Sequence, residues 1–172
     1  MKAKVFLLLL WLLPNVSFAA VEFFLEIPGI AGESTTEGHE NEIVVSTWTW
    51  GTSTNGRLFC IEDLIVTKVV DLSTPGLLRA QIKHTAFGST GMPVVLTARK
   101  VGGESTLDFF KLQLEDVTVD AITSGGASGD GSLMETVRLH FESVLMTYTP
   151  INDDGSSGPE TIPVGYSGSV CR

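Results

Sequence analysis

A chain of 172 residues, 43% of them apolar, with 20 acidic and 11 basic side chains and a formal charge of −9, is long enough to bury one ordinary core without staples. So acidic a surface repels phosphate backbones and anionic lipid, which argues against nucleic acid or a membrane surface as partner. Two cysteines in the whole chain, Cys60 and Cys171, allow a single intrachain pairing.

The opening MKAKVFLLLLWLLPNVSFAA begins with Lys2 and Lys4, continues as an unbroken apolar run over 5–13 and stops at Pro14 and Asn15. That order of charge, apolar run, turn and small residues is the grammar of a cleavable signal peptide. Small residues at minus three and minus one place the cut between Ala19 and Ala20, because a cut after Ala20 puts Phe18 at minus three. A membrane anchor needs about 20 apolar residues, and only nine precede the proline. The expected organisation is a leader over 1–19 and one domain over 20–172 with a flexible tail from about 151. Losing the leader takes the charge to −11. An exported chain, periplasmic or extracellular, meets an oxidising environment, where Cys60 and Cys171 are expected to bridge. That bridge would close a loop of over 100 residues, for which the ideal-chain estimate is about 4.7 kcal/mol.

Beyond the cut, short runs rich in Val, Ile, Thr, Phe and Trp alternate with turn residues, which predicts a mainly β, compact antiparallel barrel or sandwich. Strands are expected over 21–27, 42–50, 64–70, 94–101, 107–114, 117–122 and 136–149. In the second, Val44, Ser46, Trp48 and Trp50 share one face, and the two tryptophans mark it as core-facing. Gly102-Gly103 signals a hairpin between the fourth and fifth. In the last, Val137, Leu139 and Phe141 alternate with Thr136, Arg138, His140 and Glu142, giving one buried and one wet face. One short α-helix, about 75–86, interrupts the pattern. Thr74 caps it, Pro75 suits its first turn, Leu78 and Ile82 form its inward stripe and Gly88 ends it. Loops are expected over 31–41, 52–56, 124–132 and 152–158.

Tests for chemistry return little. His39, His84 and His140 fall on a loop, a helix end and a wet strand face, with no metal-ligand spacing. His39 with Glu37, Glu40 and Glu42 could coordinate a divalent ion, but such an acidic loop is more often simply solvated. SGGASGDGS lacks the ending of a phosphate-binding loop, and GYSGS over 165–169 is not a nucleophile elbow. Asn152-Asp153-Asp154-Gly155 lacks the distal glutamate of a calcium loop and reads as a turn. No catalytic residue, cofactor or metal is therefore expected, and the chain is read as a non-enzyme.

Three stretches together resemble one family, the haemolysin-coregulated proteins that build the inner tube of the bacterial type VI secretion system. FFLEIPGIAGESTTEGHENEIVVSTWTWG is similar to the family's opening strand, charged loop and Trp-x-Trp-Gly strand. LIVTKVVDLSTPGLLRAQIKH is similar to its central strand and Ser/Thr-Pro-x-Leu-Leu helix, and ETVRLHFESVLMTYTP to its C-terminal strand. The series runs in family order over 21–150.

The resemblance implies a barrel that assembles into a hexameric ring, with rings stacking head to tail and small effector proteins in the lumen. It also implies that the segment after Trp-x-Trp-Gly, namely Thr52, Ser53, Thr54, Asn55, Gly56 and Arg57, reaches toward neighbouring subunits. The family's tube proteins are loaded from the cytoplasm, so the export segment and the cysteines are departures. They motivate an alternative, an exported binding module or secreted effector with no tube role; a start codon set too far upstream would remove the first departure.

Overall fold

The computed structural model describes residues 20–56, 58–102, 105–129, 131–152, 154–159 and 163–168. The expected leader and Cys171 lie outside these residues. The larger sheet has six strands, drawn from β1 (Ala20–Glu26), β2 (Ile43–Val45), β7 (Val94–Gly102), β8 (Ser105–Glu115), β11 (Ser143–Tyr148) and β12 (Val164–Ser167), in the order β12-β11-β8-β7-β1-β2. The smaller has four, β3 (Thr47–Thr49), β6 (Leu64–Val69), β9 (Thr118–Gly125) and β10 (Met134–His140), in the order β3-β6-β10-β9. A separate two-stranded hairpin, β4 (Thr52–Asn55) with β5 (Leu58–Ile61), belongs to neither. Every strand pair is antiparallel, as the alternating pattern predicts.

Register explains where the core sits. Ile43, Leu25, Leu96, Leu112 and Met146 line up across five strands of the larger sheet. Trp48, Val66, Val137 and Ile122 line up across the smaller one. These rows belong to one hydrophobic cluster between the sheets, because successive side chains of a strand point to opposite faces and only one face here is apolar. Trp48 joins the layers, stacked on Phe110 at 5.5 Å and edge-on to Phe23 at 6.2 Å.

Two runs read as single strands are each two. The 42–50 run breaks at Ser46, where β2 leaves β1 and β3 joins β6, with the Ser46 N–H donating to the Thr67 carbonyl at 2.8 Å. The break changes the facing parity: Ile43 and Val45 are buried and Val44 is exposed, while Trp48 and Trp50 still pack on the core. The 136–149 run breaks between β10 and β11 and also passes from one sheet to the other. Val137, Leu139 and Phe141 are buried, as expected. The predicted loop over 52–56 is instead the β4–β5 hairpin, and β12 forms in the stretch read as tail.

The helix α1 (Thr74–Lys83) carries Pro at its start as expected, but its N-cap is Ser73 and its end is His84, left-handed at φ 51°. The inward residues are Leu77 and Ala80; Leu78 and Ile82 are exposed. Gly88 serves another purpose. At φ 76° it lets the backbone pass so close to the Leu114 carbonyl that a Cβ there would sit 2.6 Å from its oxygen.

Candidate functional site

Three places gather the sequence candidates or other closely packed polar groups. The first is the loop 31–42, folded onto the outer face of the larger sheet. His39 is 4% exposed and stacks on Phe24 with ring centroids 4.2 Å apart and planes 2° from parallel. Its Nδ1 is 3.0 Å from Glu42 Oε1 and its Nε2 3.1 Å from Asp108 Oδ1. Arg99 Nε donates to the same Asp108 oxygen at 2.9 Å, and Arg99 Nη1 donates to the Glu37 carbonyl at 2.7 Å.

Asp108 reaches this cluster because of a bulge. Ala98 pairs with Phe110 but Arg99 pairs with Asp108, leaving Phe109 extra; without the bulge, strict alternation from Phe110 would aim Asp108 at the core. Burial pushes the Asp108 carboxyl up, but hydrogen bonds from Arg99 and His39 and the Lys111 charge outweigh it and hold it below its ordinary value. For Glu42 burial wins and raises the carboxyl, only partly offset by His39, with Glu26 and Asp108 adding repulsion. Its Oε2 is buried without a hydrogen-bond partner among the described residues, consistent with that cost. Both nitrogens of His39 are occupied and the ring is covered, so the group acts as a latch for the loop and offers no open base.

The second place is a buried ionic network where β6 and β10 meet α1. Lys68 follows Leu64 and Val66 on the inward face, and register puts it opposite Glu135. The ammonium, 0% exposed, lies 2.8 Å from Glu135 Oε1 and 2.6 Å from Asp71 Oδ1, and donates to the Val69 carbonyl at 2.8 Å. Thr74 Oγ1 donates to Glu135 at 2.8 Å, and the Ser73 N–H and hydroxyl donate to Asp71 at 2.9 and 2.6 Å. All three ammonium protons are used, and the network ties the start of the helix to the smaller sheet.

The third is the hairpin. Thr52, Ser53, Thr54 and Asn55 form β4, and Gly56 takes the positive φ of 63° that its tight turn needs; Arg57 lies outside the described residues. Thr52, Ser53, Thr54 and Gly56 are exposed. Within 52–59 the only charged residue is Arg57, so the hairpin is a nearly neutral element on an acidic chain. At its far strand Phe59, 38% exposed, packs against Tyr166 of β12 with centroids 5.0 Å apart. Next to it Cys60 is buried and held in a disulfide.

The remaining sequence candidates are dispersed. His84 caps the helix, and His140 pairs with Asp63 at 3.0 Å. No group of metal-ligating side chains assembles among the described residues, and His39 meets Glu42 as a hydrogen-bond partner, with Glu37 contributing only its carbonyl. Asp154 accepts from the Ser156 N–H and hydroxyl, bonds that hold its carboxyl below the ordinary value in a local turn. A groove of about 400 Å³ beside Pro93, Gln113, Glu115 and Ser143 holds one ionisable side chain, Glu115, short of an acid–base pair. Sequence reading missed Asp108, Arg99, Lys68 and Glu135 as partners. Charged residues at inward strand positions were the available signal for the last two.

Comparison with known proteins gives a consistent result. Residues 24–148 match the family described as type VI secretion system effector, Hcp. The chain is 32% identical over 158 residues to protein Hcp1 of Pseudomonas aeruginosa, covering 86% of this chain and 95% of that one. Among solved structures, Hcp1 of Salmonella typhimurium aligns with a TM-score of 0.69 at 28% identity over 86% of this chain and 94% of its own. A further type six secretion system protein aligns with a TM-score of 0.75 at 22% identity over 86% and 96%, a likeness of fold.

Proposed function

The chain belongs to the Hcp family of type VI secretion proteins, and from that premise we propose that it is a non-enzymatic structural subunit. Copies close head to tail into a hexameric ring, rings stack, and the lumen carries small effector proteins. A heterologous contact that closes is how identical chains make a ring. The observation that carries this reading is the hairpin: a paired, nearly uncharged element outside both sheets, on a chain whose remaining surface repels its own copies. Thr52, Ser53, Thr54, Asn55, Gly56 and Arg57 are its contact residues.

Native mass spectrometry of the chain at micromolar concentration tests the proposal. A hexamer is expected, and Thr54→Glu, which adds a like charge to the hairpin, should shift it toward monomer. A strict monomer throughout refutes the ring.

A second reading is favoured by Cys60: a buried disulfide fits an oxidising compartment. In it the leader is cut between Ala19 and Ala20, Cys171 is the partner of Cys60, and the protein works beyond the inner membrane as a binding module or secreted effector. N-terminal sequencing of the native protein distinguishes the readings, since a retained Met1 or a start near Val16 or Val21 removes the basis for export.

A further inference from the structure

We propose that β12 and the Cys60 disulfide form a thiol-controlled strap that holds the β4–β5 hairpin against the barrel, so that oxidation fixes the hairpin and reduction releases it. The inference rests on the proposed pairing of Cys60 with Cys171 and names a regulation of the proposed ring contact.

Neither partner is secure alone. An isolated two-stranded hairpin is marginal in water, and the backbone ladder of β4 and β5 runs only between themselves, closed at its base by the Glu62 N–H donating to the Gly51 carbonyl at 3.0 Å. β12 is a four-residue edge strand, all exposed. It pairs with β11 over Ser143–Met146, helped by the Ser143 and Ser167 hydroxyls at 3.0 Å and by the Gly168 N–H donating to the Glu142 carbonyl at 3.1 Å.

The chain is shaped so that these two weak elements meet. Gly165 lets β12 lie under Leu145, whose Cδ1 would be 3.2 Å from a Cβ there. At Gly168 a Cβ would sit 2.7 Å from the Tyr166 hydroxyl and 3.0 Å from its ring, so the backbone passes close against the side chain that Phe59 also touches. The aromatic contact and the disulfide fall on adjacent hairpin residues, Phe59 and Cys60. A covalent link at that point converts two independently fraying elements into one unit that opens only as a whole.

The switch is thiol–disulfide exchange. Two thiols give up two protons and two electrons to a small-molecule disulfide, which leaves as two thiols; a dithiol reverses the step and departs as its own disulfide. The hairpin is therefore loose while the chain is in a reducing compartment and clamped once it is in an oxidising one.

Hydrogen exchange on the full chain, oxidised, reduced with dithiothreitol, and as Cys171→Ser, tests the strap, with Tyr166→Ser in the oxidised state as a variant that keeps the covalent link. Amide exchange over 52–61 is expected to rise by about tenfold or more on reduction and in Cys171→Ser, with β6 and β7 unchanged and Tyr166→Ser in between. Exchange over 52–61 that is the same in all forms overturns the proposal, as does a peptide map in which Cys60 is not linked to Cys171. Native mass spectrometry of the same samples separates the two ideas: a hairpin that loosens on reduction in a chain that is monomeric in every form supports the strap and refutes the ring.

Discussion

Replacing Lys68 by Met should be among the most damaging single changes outside the apolar core. The ammonium has no exposure and sits between two carboxylates, 2.8 Å from Glu135 and 2.6 Å from Asp71. Methionine fills similar volume, so the loss is electrostatic. Removing one partner of a buried pair costs about 3–5 kcal/mol, because the other charge stays desolvated and uncompensated. The value here should lie at the lower end, about 3 kcal/mol: Asp71 keeps two donors from Ser73, Glu135 keeps the Thr74 hydroxyl, and the start of α1 favours negative charge. In a chain of this size that corresponds to a fall in Tm of roughly 6–12 °C. Urea unfolding followed by tryptophan fluorescence measures it, with an unchanged slope showing that the variant still folds. The double variant Lys68→Met/Glu135→Leu should recover part of that loss, since it removes one of the two uncompensated carboxylates and leaves Asp71 with its Ser73 donors. A single variant costing less than about 1 kcal/mol, or a double variant no better than the single, refutes this account of the network.

Two other outcomes follow from the burial and electrostatics. Leu77→Ala should cost about 2–5 kcal/mol, whereas Leu78→Ala and Ile82→Ala should each stay within about 0.5 kcal/mol of wild type; equal losses by chemical denaturation would mean that the helix turns another face to the core. Glu42, whose carboxyl is raised by burial, holds its proton more tightly folded than unfolded. Its contribution is full below the ordinary value of 4.5 and is lost as pH rises through the raised value. Glu42→Gln, which cannot ionise, should flatten that decline in urea midpoints taken between about pH 4 and pH 7, and an identical profile for both proteins would contradict it.

The mainly antiparallel architecture, the single short helix, the Gly-Gly hairpin and the buried row Val137, Leu139 and Phe141 were legible from the chain, because period and turn chemistry are local and each strand buries one face. So was the family, carried by motifs in order. Decisions that depend on what lies opposite were not. The break at Ser46 is invisible to alternation, since both halves are good strands and only the separate demands of β1 and β6 make the chain change sheets there. The helix stripe was misassigned because Leu77 and Leu78 are equal in propensity, and packing over β9 alone decides which turns inward. The bulge that frees Asp108 for His39, the register that sets Lys68 against Glu135, and the contact of Phe59 with Tyr166 all join residues far apart in sequence. Apolar periodicity determined that this protein would be a mainly antiparallel β domain with a single helix. Which polar groups meet, and so where the loop is latched and the hairpin is held, was settled by tertiary register, since a hydrogen bond or an ion pair needs its partner within about 3 Å and no local pattern records that distance.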